Sequence, residues 1–150
     1  MTENAVFQWV RQGTGRCFLF CDHASNLIPP EYENLGLSED DLQTHIAWDP
    51  GAFALAGELA RLLEADLTKC AFSRLVIDPN RAPDQPGLIP EVSDDIIIPG
   101  NQGMSENAQN KRVNLYNSYH AAQEKALDEV TSYGHKPFIL SVHSFTPRMK

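Results

Sequence analysis

At 150 residues, with 42% apolar and 21% charged content, the chain suits one globular domain with a real core. A formal net charge of −8, with no Lys/Arg cluster longer than a pair, argues against nucleic acid or anionic membrane as a partner. No apolar stretch approaches the ~20 residues of a membrane span; the N-terminus lacks a signal-peptide pattern, so three cysteines read as reduced thiols in a cytoplasm.

Residues 5–10 read as a short first strand, and the turn around Gly13 and Gly15 leads into the stronger apolar strand Cys17–Cys21. Residues 26–34, carrying Pro29 and Pro30, read as loop. Ser38 can cap a short helix over 39–46. A clearer helix follows: Asp49 is a good N-cap, Pro50 fits the first helical position, and Leu55, Leu59, Leu62 and Leu63 recur at helical spacing. Residues 67–72 and 74–77 read as two short strands or one bent strand, and 82–103, rich in proline and glycine, as a long ordered loop, of a length that in compact domains is usually functional or disordered. Ser105 caps a long helix reaching about Tyr133, with Leu115, Tyr119, Ala122, Ala126, Val130 and Tyr133 as its buried stripe and Gly134 as its C-cap. Pro137 leads into a last strand over 138–142. The order β-β-α-α-β-β-α-β predicts an α/β sandwich around a largely buried mixed sheet.

Two histidines stand where strands run out: His23 after Cys17–Cys21, and His143 after the final strand. Strand carboxyl ends are where open α/β sheets put their ligands. Imidazole there suits a divalent metal, which in zinc hydrolases takes about three protein ligands and leaves a position for water. Asp49 is the candidate third ligand, with the helix cap as its competing role. Asn26, three residues after His23, could offer an amide oxygen, and Cys21 is an inert buried thiol, a thiolate ligand or a nucleophile partnered by His143.

The segment Ser73-Arg74-Leu75-Val76-Ile77-Asp78-Pro79-Asn80-Arg81 adds positive charge. Its prolines stiffen an Asn80–Arg81 pair that can clamp a carboxylate, and Arg74 can stabilise charge growing on an attacked carbonyl oxygen. Arg112 falls on the apolar stripe of the long helix, where a charge must find a partner, and His120 stands beside Tyr119.

These residues together resemble the N-formylglutamate amidohydrolase family. The matching pieces are Asp22-His23-Ala24-Ser25 with Ile28-Pro29, Trp48-Asp49-Pro50-Gly51-Ala52, the 73–81 segment, Ile98-Pro99-Gly100-Asn101, Arg112 with Tyr119-His120, and the segment 141–147 around His143. The resemblance implies a three-layer α/β sandwich like that of zinc carboxypeptidases and aspartoacylases, with a mixed sheet flanked by helices. It also implies zinc or another divalent metal on His23 and His143, Asn80 and Arg81 as the carboxylate clamp, and Arg74 as the oxyanion group. The implied activity is hydrolysis of an N-acyl acidic amino acid such as N-formylglutamate. The related zinc enzymes place a Glu three residues after the first His ligand; Asn26 stands there, so Asp49 is expected to be the acidic ligand. Family members are longer, with their extra part beyond His143, where the related enzymes carry a general-base Glu. Residues 1–150 are therefore expected to correspond to the N-terminal portion of such a domain. The alternative is an inactive relative that keeps a small-carboxylate-binding pocket.

Overall fold

The computed structural model describes residues 6–11, 13, 16–132 and 134–146. Ala5, Gly15, Tyr133 and Pro147, which entered the expectations above, lie outside the described residues. A four-stranded sheet runs in the order β1 (Phe7–Val10), β3 (Asp66–Cys70), β2 (Cys17–Cys21), β6 (Phe138–Ser141). β2 is parallel to both β3 and β6, whereas β1 is antiparallel to β3, so the sheet is mixed as expected.

Alternation along β2 builds two cores. Phe18 and Phe20 face one side of the sheet, with Leu115, Tyr119, Ala126 and Val130 of α3 (Glu106–Thr131). Leu19 and Cys21 face the other, with Ala52, Ala56 and Ala60 of α2 (Ala52–Leu63). Side chains two apart on a strand share a face, so one run of five apolar residues serves both layers. The result is the three-layer sandwich α2–sheet–α3.

Several elements depart from expectation for identifiable reasons. α2 turns its alanines, not its leucines, to the sheet; Leu55, Leu62 and Leu63 are exposed, and Leu59 is partly buried. The alanine face lets the helix axis approach β2 and β3 closely, which a leucine face would prevent. α2 also begins later than Asp49: its N-cap is Gly51 at φ 82°, a left-handed conformation that glycine adopts without strain. Asp49 is thereby released from capping. The short helix α1 (Glu39–Leu42) stops well before Ile46, though Ser38 caps it with a reciprocal Ser38–Asp41 capping box. Part of the expected loop at 26–34 runs into a distorted 3-10 segment, Pro30–Gly36.

β3 spans Asp66–Cys70 rather than 67–72, and 74–77 is a buried turn, not a strand. Its carbonyls are taken by side chains instead of a ladder, as described below. The expected long loop contains a small hairpin, β4 (Val92–Ser93) and β5 (Ile96–Ile97), followed by a 3-10 turn at Pro99–Asn101. Gly100 is required there, since a Cβ would lie 2.8 Å from the Leu35 backbone. Finally, the sheet is less buried than expected. All four residues of β6 are exposed, and its outer edge has no strand partner among the described residues.

Candidate active site

Three chain segments meet at the carboxyl ends of β2, β3 and β6. β2 delivers His23 two residues beyond its end, and β6 delivers His143 in the same way. The Asp49 backbone N–H donates to the His23 carbonyl at 2.9 Å, which stitches the 48–51 turn beside β2 and aims the Asp49 carboxylate between the two imidazoles. The rings of His23 and His143 lie 5.0 Å apart, centroid to centroid. His143 Nδ1 is 2.9 Å from Asp49 Oδ2, which also accepts from the Ser144 backbone N–H at 3.2 Å. His23, Asp49 and His143 each offer a ligand atom within 4.8 Å of the others.

This trio fits a divalent metal on grounds of its own. His23 Nδ1 is buried without a hydrogen-bond partner among the described residues, 3.4 Å from Asp49 Oδ1. A buried nitrogen left unpaired is costly, and a metal would satisfy it. The other ring nitrogen, Nε2, is 2.7 Å from Asp78 Oδ1, the carboxylate-to-histidine contact that orients metal-ligating imidazoles. Two imidazoles and a carboxylate form a donor set suited to zinc.

Charges are strongly coupled here. Burial alone would depress the basicity of His23, but its contacts with Asp49 and Asp78 prevail and raise its pKa above 6.5. Burial would likewise raise both carboxylates; instead His143 and His23 hold Asp49 well below the ordinary range, and His23, Arg74 and the Asn80 N–H lower Asp78. Arg74 links the two acids, with Nη2 at 2.8 Å from Asp78 Oδ2 and Nη1 at 3.6 Å from Asp49 Oδ1.

Next to the trio opens a cavity of about 740 Å³ whose wall includes His45, Asp49, Arg74, Arg81, Asp94 and Ser144. Arg81 reaches it with Nε 3.5 Å from Asp78 Oδ2 and Nη1 donating to the Pro86 carbonyl at 3.1 Å. The side chain of Asn80 is exposed and does not line this cavity, although its N–H donates to Asp78 Oδ1 at 2.9 Å. Asn26 stays outside the trio and donates to the Leu42 carbonyl at 2.9 Å. Cys21 is fully buried, and burial, reinforced by Asp22 and Asp49, pushes its thiol pKa up to about 12, so the thiolate needed of a nucleophile is not available.

Reading the sequence alone missed two features. Asp78 carries the His23 contact; its place between two arginines, directly before a proline, was the available signal. His45 and Asp94, 3.2 Å apart, fasten the β4–β5 hairpin over one wall of the cavity, and no local pattern connects them.

The profile of the N-formylglutamate amidohydrolase family matches residues 16–150. The chain belongs to that family. A gene product of Agrobacterium tumefaciens, known from its crystal structure, is 37% identical and superposes with a TM-score of 0.90 over 97% of this chain and 60% of its own. The crystal structure of an N-formylglutamate amidohydrolase from Ralstonia eutropha shares the fold at 21% identity and a TM-score of 0.59, with 97% of this chain and 63% of that one covered. The chain thus spans less than two thirds of the length of either solved relative. No curated protein matches it.

Proposed function

We propose that this chain carries the metal-binding and carboxylate-binding residues of an amidohydrolase that cleaves an N-acyl acidic amino acid such as N-formylglutamate. The observation that carries the reading is the convergence of His23, Asp49 and His143 beside a cavity walled by Arg74 and Arg81. Zinc or another divalent metal held by the trio would supply an activated water, with its pKa lowered toward ~7, and polarise the scissile carbonyl. Asp78 fixes the His23 ring so that Nδ1 faces Asp49 and the site. Arg74, partly exposed at the cavity wall, stabilises negative charge as it grows on the carbonyl oxygen. Arg81, with the exposed amide of Asn80 next to it, pairs with a substrate carboxylate. Water oxygen bonds to the acyl carbon, the C–N bond breaks, and the products are the carboxylic acid and the free amino acid. Residues 1–150 form the N-terminal portion of the catalytic domain in this reading, and three free thiols fit a cytoplasmic setting.

A second reading, a carboxylate-binding module without turnover, is favoured by one observation. The two acids that line the cavity among the described residues already face histidines, Asp49 facing His143 and His23 and Asp94 facing His45, so neither carboxylate is open to take the water's proton. An assay of glutamate release from N-formylglutamate, with added zinc and after chelation, separates the two. Zinc-dependent release supports the hydrolase; saturable binding with no release supports the module; neither binding nor release overturns both.

A further inference from the structure

The segment 73–81 is held in an unusual manner. It contributes Arg74, Asp78 and Arg81 to the site, yet it lies outside the sheet, so its buried carbonyls find no ladder partner. Asn101 Nδ2 donates to the Leu75 carbonyl at 2.8 Å, and side chains of α3 supply the donors to three more. Arg112 Nη1 donates to the Val76 carbonyl at 2.7 Å, Tyr116 Oη to the Arg81 carbonyl at 2.9 Å, and His120 Nε2 to the Pro79 carbonyl at 3.1 Å. These three residues are spaced four apart and therefore lie along one side of the helix. From the adjoining stripe, Tyr119 donates to Asp22 Oδ1, and Gln123 Nε2 contacts the same oxygen at 3.4 Å. One helix face thus holds both the turn carrying the arginines and the turn carrying His23.

The arrangement has a cost that core packing alone would not require. Arg112 is buried, its basicity is lowered by desolvation, and its Nε has no hydrogen-bond partner among the described residues. Its guanidinium is stabilised by the Val76 carbonyl and by the Tyr32 ring, 3.9 Å away. An apolar side chain in that place would leave the Val76 carbonyl unsatisfied and the turn free to shift. Tyr116 and His120 grip the two residues on either side of Asn80, and their rings meet at a tilt of 51° with centroids 4.3 Å apart.

We propose that Tyr116 and His120 are positioning residues that set the orientation of Arg81 for the side-chain carboxylate of the substrate, with Arg112 anchoring the first limb of the same turn. The inference rests on the carboxylate role given to Arg81 above. It is distinct from that role, because neither ring needs to touch the substrate.

The test measures binding to the 150-residue chain by calorimetry, comparing N-formylglutamate with its neutral side-chain amide, N-formylglutamine. Loss of one hydrogen bond corresponds to roughly a 3–10-fold change. Tyr116→Phe and His120→Leu are each expected to weaken N-formylglutamate binding by about that factor and to leave N-formylglutamine unchanged. His120→Gln, which keeps an N–H near the position of Nε2, restores binding. A merely structural role would weaken both ligands alike, and that outcome overturns the proposal. Arg81→Ala separates the levels. If it preserves the preference for the ligand with the side-chain carboxylate, Arg81 does not hold that carboxylate and the role given to it here is wrong. If it abolishes that preference while Tyr116→Phe and His120→Leu keep it, the positioning inference alone fails.

Discussion

His23 leaves the sheet from β2, a strand paired on both sides, whereas His143 follows β6, whose outer edge has no strand partner among the described residues. The cross-strand partners Leu19 and Leu140 show the contrast at one register position: the first is 0% exposed and the second 40%. The same division continues into the site. His23 is buried and contacts two buried carboxylates, Asp49 and Asp78. His143 is more open and has Asp49 on one nitrogen and the exposed Ser141 hydroxyl, at 3.1 Å, on the other. One imidazole of the proposed metal site is thus fixed by the core, while the other rests on Asp49 and a lightly buried strand. Preorganisation in this site is one-sided.

The largest effect that would break this comparison concerns stability. Leu19→Ala should cost about 2–5 kcal/mol, as a large buried side chain removed from a dry core. Leu140→Ala should stay within about 1 kcal/mol. Denaturant titration of both variants checks this, and equal costs would show that β6 is as firmly held as β2.

A second contrast lies in metal affinity. Asp78→Asn, which weakens the support of the His23 ring, should lower zinc affinity about 10–100-fold. Ser141→Ala, the matching change beneath His143, should alter it by less than about 3-fold, because that hydroxyl already faces solvent. Zinc titration against a competing chelator measures both.

The smallest predicted effect is one of sign with pH. In metal-free protein, contacts with Asp49 and Asp78 raise the His23 pKa despite burial. The stability this supplies is full below the unfolded histidine value of about 6.5 and fades as pH rises through the higher folded value. Asp49 and Asp78 act at the acid end: their lowered pKa values supply stability above the ordinary carboxylate range that is lost as pH falls through the depressed values. Zinc at the proposed site would have to displace the proton from His23, so its binding would strengthen as pH rises. Thermal melts between about pH 6 and 8 should therefore fall with pH without zinc and rise with pH when zinc is present.

Much of this was legible in the residues, and the failures share a cause. The strand at 17–21, the long helix after Ser105 and the two histidines at strand ends all follow from periodicity and capping that one chain segment displays by itself. The inward face of α2 did not, because leucine and alanine stripes are both apolar and only the spacing to the sheet selects between them. Residues 74–77 have strand-like composition but form a buried turn, since Asn101 Nδ2 captures the Leu75 carbonyl at 2.8 Å and Arg112 captures that of Val76. Those donors lie 26 and 36 residues away. Asp49 has the residue type and place of an N-cap, the role composition favours over that of a ligand; the positive φ of Gly51 and the backbone bond to His23 show that the helix is capped elsewhere.

Zinc binding to the purified chain, followed by native mass spectrometry and by calorimetry on the wild type and on His23→Gln, tests the central claim most directly. The account predicts one zinc per chain in the wild type and its loss in the variant, with the fold intact by circular dichroism. A chain that binds no zinc, or a variant that binds it as tightly as the wild type, would contradict it.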